Sequence, residues 1–222
     1  GGASIFSLTV TNNRSLKGDR SDLQYADDDG ARYHAVFRAV TTPERALLLT
    51  RFDAPSRRLY PSLAAAETPP TRAALFAAVA KLRAGVLAAK GRGEESDFYF
   101  VFAGHGDVER GQGFLELEDG RLGARDLEEL VLAAVPAERV HVVVDSCNSF
   151  FVLNPRKPGG RRWATPRDLA TGFAARRPNV GVFLSTSAES EVFEWSELQG
   201  GIFSHVVRSG LVGAADADGD GC

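Results

Sequence analysis

The stretch Arg139–Ser149, RVHVVVDSCNS, decides the fold class. Val140–Val144 is a short run of β-branched apolar residues interrupted only by His141, and a polar cluster follows it directly. A run of this kind is typical of a strand that is buried on both faces, as in the middle of a parallel sheet. Open α/β sheets bind their ligands at the carboxyl ends of such strands. Because the polar cluster contains Cys147, we interpret Cys147 as a nucleophile.

A second stretch, Asp97–Gly106 (DFYFVFAGHG), predicts another central strand that ends in a reactive residue. The glycines on either side of His105 allow a bulky partner to approach it closely. The separation of His105 from Cys147 leaves room for a hairpin and a crossover helix, so the two strands can bring a thiol beside an imidazole. Such a pair generates a thiolate at neutral pH. The alternative for Cys147 is a small buried side chain, the common role of a free cysteine.

Other segments show the periodicities of secondary structure. Thr71–Ala89 carries apolar residues at i, i+3 and i+4 and predicts a core-facing helix with Thr71 as its cap. Gly113–Gly123 alternates in hydrophobicity and predicts a hairpin. Ala31–Val40 is predicted to be a helix, and Arg57–Pro70 is predicted to be a loop. Asn179–Ser187 is predicted to be the last core strand. With the two central strands, these segments predict an α/β fold.

These features resemble those of the caspase-like cysteine peptidases, and within that class the bacterial metacaspase and orthocaspase branch. The similarity runs from about Ile5 to Leu211. It is carried by LQYADDDGARY at residues 23–33, by the GHG and DSC strand ends, and by GGIFSHVVRSGL at residues 200–211. Asn148 departs from the commonest family motif, in which a histidine follows the cysteine. The resemblance implies a three-layer α/β/α fold with a mostly parallel central sheet flanked by helices.

The same resemblance implies a cysteine endopeptidase with a Cys–His dyad that works through a thioester acyl-enzyme. Cys147 would attack the scissile carbonyl, and His105 would deliver a proton to the leaving nitrogen. The backbone N–H groups of Gly106 and Cys147 would form the oxyanion hole. This chemistry requires no cofactor. The alternative is an inactive or regulatory caspase-like module that binds a partner peptide without cutting it.

An acidic residue beside the predicted nucleophile indicates a preference for a basic substrate side chain. Asp145 precedes Cys147 by two positions, so both side chains point to the same side of the strand. A carboxylate there attracts a positive P1 side chain, and in the resembling metacaspases an aspartate at this place serves a basic S1 pocket. We expect cleavage of a protein or peptide substrate after Arg or Lys, with cleavage after Asp as the alternative. The other interpretation of Asp145 is that it orients the loop through hydrogen bonds.

The resemblance also places a helix-start aspartate in the substrate pocket. Asp29 fits that position best, and Asp28 is the next candidate. Asp27–Asp29 as a group has a second interpretation, since acidic residues cap a helix N-terminus and favour its dipole. We also place Ser187, which ends the last predicted core strand, among the substrate-binding residues.

Two segments are predicted to lie outside the sheet and its helices. Residues 152–167 are rich in proline, glycine and basic residues, which indicates a surface loop and a candidate self-cleavage site. Residues 214–222 form an acidic tail that matches the first half of an EF-hand loop, with Asp216, Asp218 and Asp220 as candidate calcium ligands. Calcium is therefore a candidate regulator, and a plain acidic tail is the alternative.

Composition bounds the remaining possibilities. With 222 residues, 44% of them hydrophobic, the chain can form one substantial core, and we assign residues 1–213 to a single peptidase domain. The formal net charge of −3 argues against a nucleic-acid partner. No apolar run approaches the ~18 residues that a membrane span needs. Two cysteines make no disulfide framework. We expect a cytoplasmic protein without a membrane partner and, from the family habit, a monomer.

Overall fold

The computed structural model describes residues 2–18, 20–110, 112–146, 177–185, 194–195 and 200–214. The strands are β1 (Ser4–Asn12), β2 (Ala46–Leu49), β3 (Ser96–Gly104), β4 (Gly106–Glu109), β5 (Gln112–Glu116), β6 (Arg121–Gly123), β7 (Arg139–Asp145), β8 (Val180–Leu184), β9 (Glu194–Trp195) and β10 (Gly200–Gly201). The α-helices are α1 (Ala26–Val40), α2 (Ala54–Leu59), α3 (Pro61–Ala65), α4 (Arg72–Gly91), α5 (Ala124–Asp126) and α6 (Ile202–Ser209). Wider π-type turns extend α5 through Leu127–Leu132 and α6 through Gly210–Ala214.

Five strands form the central sheet in the order β2-β1-β3-β7-β8, and every neighbouring pair is parallel. The chain passes from β1 through α1 to β2, then returns through α4 to β3 on the other side of β1. The strand order therefore reverses between β1 and β3, and α/β sheets of this kind bind ligands at the carboxyl ends of strands beside such a reversal. The predicted α/β fold with a parallel central sheet flanked by helices is confirmed.

Alternate residues of each central strand face opposite helical layers, as the two-residue repeat of a strand requires. On β3, Phe98, Phe100 and Phe102 are fully buried in the cluster that contains the apolar face of α4. Val101, between them, belongs to the cluster that contains Tyr33 of α1 and the partly buried Phe203 and Val207 of α6. Both faces of the sheet are covered, which explains why its strands are continuous hydrophobic runs.

Helix α4 forms as its sequence predicts. The Thr71 hydroxyl accepts a hydrogen bond from the Ala74 N–H at 3.2 Å, so Thr71 caps the helix. Leu75, Val79, Leu82 and Val86 lie on one face of the helix and are almost inaccessible to solvent. The hairpin predicted over Gly113–Gly123 is also present, as the antiparallel pair β5 and β6.

Two boundaries differ from the sequence-based expectation. Helix α1 begins at Ala26 rather than Ala31, because the Asn13 side-chain oxygen accepts a hydrogen bond from the Ala26 N–H at 2.9 Å. A residue from the end of β1 thus caps α1, and the acidic triplet lies within the first helical turn. The predicted loop Arg57–Pro70 contains the end of α2 and all of α3, since the Asp53 side chain caps α2 and Pro61 occupies the first turn of α3.

Strand β3 ends at Gly104, and His105 lies between β3 and β4. Gly104 has a φ of +158°, and a Cβ atom built on it would lie 2.8 Å from the Asn12 carbonyl oxygen of β1. The close approach of the two strands therefore requires a glycine immediately before His105. None of the helices within the described ranges is both long and apolar enough to cross a lipid bilayer.

We expect Gly104→Ala to lower the free energy of unfolding by ~1–3 kcal/mol, because the added methyl group would overlap the Asn12 carbonyl oxygen. The measurement is urea unfolding followed by circular dichroism. Gly91→Ala is the matched control, since a Cβ at the end of α4 meets no atom within 4 Å and should be neutral or slightly stabilising. Equal effects of the two substitutions would contradict the close packing of β1 against β3.

Candidate active site

Polar side chains gather at the carboxyl edge of the central sheet. Asn12 and Asn13 lie at the end of β1, His105 follows β3, and Asp145 ends β7. All four are buried or nearly so. The first turn of α1 and the first turn of α6 meet at the same edge, where they supply backbone N–H groups and further side chains. The edge is a polar, enclosed site between two helix ends and three strands.

His105 is only 6% exposed, and its environment favours the neutral imidazole. Burial lowers the pKa of His105 below its ordinary value, and the Arg20 guanidinium lowers it further, whereas Glu116 and Asp22 oppose this shift. The Nε2 atom has no hydrogen-bond partner among the described residues. A buried neutral imidazole with an unbonded ring nitrogen is suited to accept a proton.

Glu116 and the partly buried Arg20 form an ion pair and contact the backbone that follows the His105 side chain. The Glu116 N–H donates to the His105 carbonyl at 2.9 Å, and Arg20 donates from Nη1 to the Gly106 carbonyl at 3.2 Å. Arg20 Nη2 also donates to Glu116 Oε1 at 2.6 Å, while the Leu16 N–H donates to Glu116 Oε2 at 2.9 Å. The pair therefore holds the strand β5, the loop after β1 and the His105–Gly106 segment together.

Sequence reasoning missed both members of this pair. Glu116 lies between Leu115 and Leu117 in an alternating hairpin, a pattern that assigns it to the solvent face. It is nevertheless only 2% exposed, because the Arg20 segment covers it from a distant part of the sequence.

The Gly106 N–H is directed away from the β4–β5 ladder. Gly106 lies opposite Leu115, and the flanking hydrogen bond runs from the Glu116 N–H to the His105 carbonyl. In an antiparallel ladder this arrangement makes Gly106 and Leu115 a non-hydrogen-bonded pair, whose N–H groups point outward. The Gly106 N–H can therefore serve a ligand at the sheet edge.

Asp145 is 5% exposed and accepts hydrogen bonds from the first turn of α6. Its Oδ2 atom receives the Ser204 hydroxyl at 2.5 Å and the Ser204 N–H at 3.2 Å. Its Oδ1 atom has no hydrogen-bond partner within 3.5 Å among the described residues, although the Ser185 side chain is near enough to lower the pKa of Asp145. Burial raises the pKa of Asp145 to about 6, against the effect of the Ser204 hydroxyl and with a further increase from the Asp29 charge. These bonds attach Asp145 to the start of α6.

Asp29 lies beside Asp145 and is also engaged by α6. Its Oδ1 atom accepts a hydrogen bond from Arg208 Nη1 at 2.5 Å, and its Oδ2 atom accepts one from the Gly201 N–H at 2.7 Å. A Cβ built on Gly201 would lie 2.7 Å from Asp145 Oδ2 and 3.3 Å from Asp29 Oδ2. The two carboxylates therefore converge on one glycine. Burial raises the pKa of Asp29, and the Arg208 charge opposes this increase.

The other two aspartates of the triplet have different surroundings. Asp27 is fully buried and accepts hydrogen bonds from the Asn13 side chain at 2.8 Å and from the Asp53 N–H at 2.9 Å. Asp28 is 3% exposed, and burial raises its pKa to about 6, with a further increase from the Asp27 charge. Asp28 lies near Ser56 and Asp53 rather than beside Asp145. Within the triplet, only Asp29 joins Asp145.

Several residues of the predicted site lie outside the described residues. They are Cys147, Ser187, the loop 152–167 and the candidate calcium ligands Asp216, Asp218 and Asp220. Within the described ranges, no group of three or more His, Cys, Asp or Glu side chains is arranged to hold a metal ion. In comparisons with known proteins, the chain matches neither a family model nor a curated protein.

We expect Arg20→Gln to raise the pKa of His105 and Glu116→Gln to lower it, because the two charges act on the imidazole with opposite sign. Proton NMR titration of the imidazole signals measures this pKa, with the His105 signal assigned from a His105→Gln variant. Arg14→Gln is the control, since Arg14 pairs with Glu118 at 3.8 Å and should leave the His105 titration unchanged. A shift of the same sign in both test variants would contradict this arrangement.

We expect Asp28→Asn to stabilise the protein at pH 7.5 and not at pH 4. The folded-state pKa of Asp28 is raised from 3.8 to about 6, so the folded protein binds the Asp28 proton more tightly than the unfolded chain does. The resulting stabilisation is fully present below pH ~4 and is lost as the pH rises through 6. Since one pKa unit corresponds to ~1.4 kcal/mol, the gain at neutral pH is at most ~3 kcal/mol.

Urea unfolding at the two pH values measures the effect of Asp28→Asn. Asp126→Asn is the control, because it removes a partly exposed carboxylate that pairs with Arg72 at 3.0 Å and should give no gain at neutral pH. A loss of stability in Asp28→Asn at pH 7.5 would show that the ionised carboxylate is needed by the fold.

Proposed function

We propose that the chain is a cysteine endopeptidase of the caspase-like class, related to the metacaspase and orthocaspase branch, with Cys147 and His105 as its dyad. The observation that carries the proposal is the register of two adjacent parallel strands. Ala103 of β3 pairs with Asp145 of β7, and His105 and Cys147 each follow two positions later in the sequence. Because His105 and Cys147 are equally far from one paired position, the register favours an imidazole and a thiol that lie side by side at the end of the sheet.

The surroundings of His105 support its role as the proton carrier. The Cys147 thiol gives its proton to the neutral imidazole, and the thiolate attacks the scissile carbonyl carbon. The imidazolium then protonates the leaving amine as the C–N bond breaks, which leaves a thioester. A water molecule attacks the thioester and passes its proton to His105, and the thiolate departs as the carboxylic acid product forms. Burial of His105, which favours its neutral form, suits the first of these steps.

The oxyanion that develops on the substrate carbonyl requires hydrogen-bond donors. The outward N–H of Gly106 is one such donor, because the β4–β5 ladder does not use it. The family resemblance assigns the second to the backbone N–H of Cys147. Removing one oxyanion donor costs ~10²–10³ in rate, so the geometry at Gly106 bears directly on activity.

Specificity for a basic P1 side chain follows from the convergence of Asp29 and Asp145 at the sheet edge. Two carboxylates on either side of Gly201 attract an arginine or lysine side chain and repel an aspartate. A module that binds a partner peptide without cutting it stays the alternative function, since it needs the same pocket but no nucleophile.

The experiment is a fluorogenic peptide panel at neutral pH with Arg, Lys, Asp or Ala at P1, run with and without calcium. We expect turnover of the Arg and Lys peptides that is lost, by ~10³-fold or more, in Cys147→Ala. Cys222→Ala is the matched control, because Cys222 is the only other cysteine of the chain, and it should keep full activity.

Other outcomes of the panel separate the alternatives. Turnover of the Asp peptide alone would overturn the basic pocket and leave the nucleophile intact. Turnover that survives in Cys147→Ala would overturn the dyad. No turnover of any peptide, together with binding of the Arg peptide to the wild-type chain, would favour the binding module.

A further inference from the structure

Asp29 and Asp145 form an acidic pair at the sheet edge, and an arginine of the chain itself already binds Asp29. Arg208 of α6 is 8% exposed, and its guanidinium lies 2.5 Å from Asp29 Oδ1. The guanidinium also lies 5.3 Å from the centre of the Tyr33 ring. Since Gly201 occupies the other oxygen of Asp29, the described hydrogen bonds use both acceptor atoms of this carboxylate.

The spacing of residues on α6 produces this occupation. Ser204 and Arg208 are four positions apart and lie on one face of the helix, one turn after the other. Ser204 binds Asp145, and Arg208 binds Asp29. Helix α6 and the glycine before it thus present a hydroxyl, backbone N–H groups and a guanidinium to the two carboxylates. The N–H groups and the guanidinium are also what a peptide substrate with an arginine side chain would offer.

We propose that Arg208 is a specificity-determining residue, an internal cation that holds Asp29 and competes with the basic side chain of a substrate for the acidic pair. The inference rests on the proposed function of Asp29 and Asp145 as the basic P1 pocket. With Arg208 in place, the acceptor left for a substrate cation among the described atoms is Asp145 Oδ1. A substrate arginine must use that oxygen or displace Arg208, and either requirement weakens its binding.

The chain offers a matched control for this competition. Arg32 of α1 faces the same carboxylate, with Nη1 at 3.8 Å from Asp29 Oδ1, but its side chain is 28% exposed. Its charge is therefore more strongly screened, and it makes a longer contact. Replacing Arg32 removes a nearby arginine without emptying the position that Arg208 occupies.

The first test compares Arg208→Gln with Arg32→Gln on two peptides that differ only in P1, arginine or its uncharged isostere citrulline. We expect Arg208→Gln to increase the ratio of kcat/KM for arginine over citrulline by ~10-fold or more, mainly through a lower KM for the arginine peptide. Arg32→Gln should leave the ratio within about twofold of the wild type. A purely structural role of Arg208 would change both peptides equally and leave the ratio unmoved.

Arg208→Lys keeps a positive charge but replaces the two-pronged guanidinium with a shorter side chain bearing a point charge. We expect an increase of the same ratio that is smaller than in Arg208→Gln. If circular dichroism shows that Arg208→Gln does not fold, Arg208→Lys decides the question. An unchanged or decreased ratio in the folded variant would overturn the inference.

A binding measurement separates this inference from the proposed catalysis. In the Cys147→Ala background, isothermal titration with agmatine, an arginine-sized cation, needs no turnover. We expect Arg208→Gln to tighten agmatine binding by ~10-fold or more and Arg32→Gln to leave it unchanged. Equal agmatine affinity in all three proteins would overturn the competition even if the peptidase is active, and tighter binding would support it even if the chain cuts no peptide.

Discussion

Four buried carboxylates at one edge of the central sheet impose the constraint on which the rest of the site depends. Asp27, Asp28, Asp29 and Asp145 are each at most 5% exposed. An ionised carboxylate removed from water is costly unless a hydrogen bond or a cation compensates it. The groups that compensate Asp27 come from Asn13, just after β1, and from the residue before α2. Those that compensate Asp29 and Asp145 come from α6 and the glycine before it. The acids therefore bind distant segments together, and α6 is attached to the sheet through them as well as through the apolar contacts of Phe203 and Val207.

Beside the imidazole, too, a buried carboxylate is compensated by a cation. Glu116 is buried beside His105, and Arg20 compensates it while also holding the Gly106 carbonyl. Burial lowers the pKa of His105 and so favours its neutral form, while the β4–β5 ladder leaves the outward N–H of Gly106 for a ligand. The two halves of the edge thus differ in charge, with a nearly balanced environment at the imidazole and a concentration of negative charge at Asp29 and Asp145.

Sequence patterns predicted those parts of the structure that depend on local periodicity. The parallel strands, helix α4 and the β5–β6 hairpin all follow from apolar spacing and capping residues within one segment. The predicted start of α1 was wrong because Asn13, which caps the helix, lies in a different segment, directly after β1. The roles of Arg20, Glu116 and Arg208 could not be predicted, since the Arg208–Asp29 contact joins residues 179 positions apart and no local pattern encodes that pairing. The family resemblance assigned Asp29 and Asp145 to one substrate pocket, and the structure places both beside Gly201, but the resemblance did not show that α6 binds them.

A cation-binding site made of buried carboxylates needs a counter-charge even when no ligand is bound. Bulk water stabilises an exposed carboxylate by solvating it, but Asp29 and Asp145 are too enclosed for that. Below about pH 6 a bound proton neutralises Asp145, whose pKa is raised to about 6. The Arg208 guanidinium balances the charge of Asp29. The proton and the guanidinium respond to different changes. The proton leaves as the pH rises through 6, whereas Arg208 leaves only if its side chain or α6 moves. The substrate cation that we propose for this edge would therefore bind in a way that is coupled both to the pH and to the packing of α6 against the sheet.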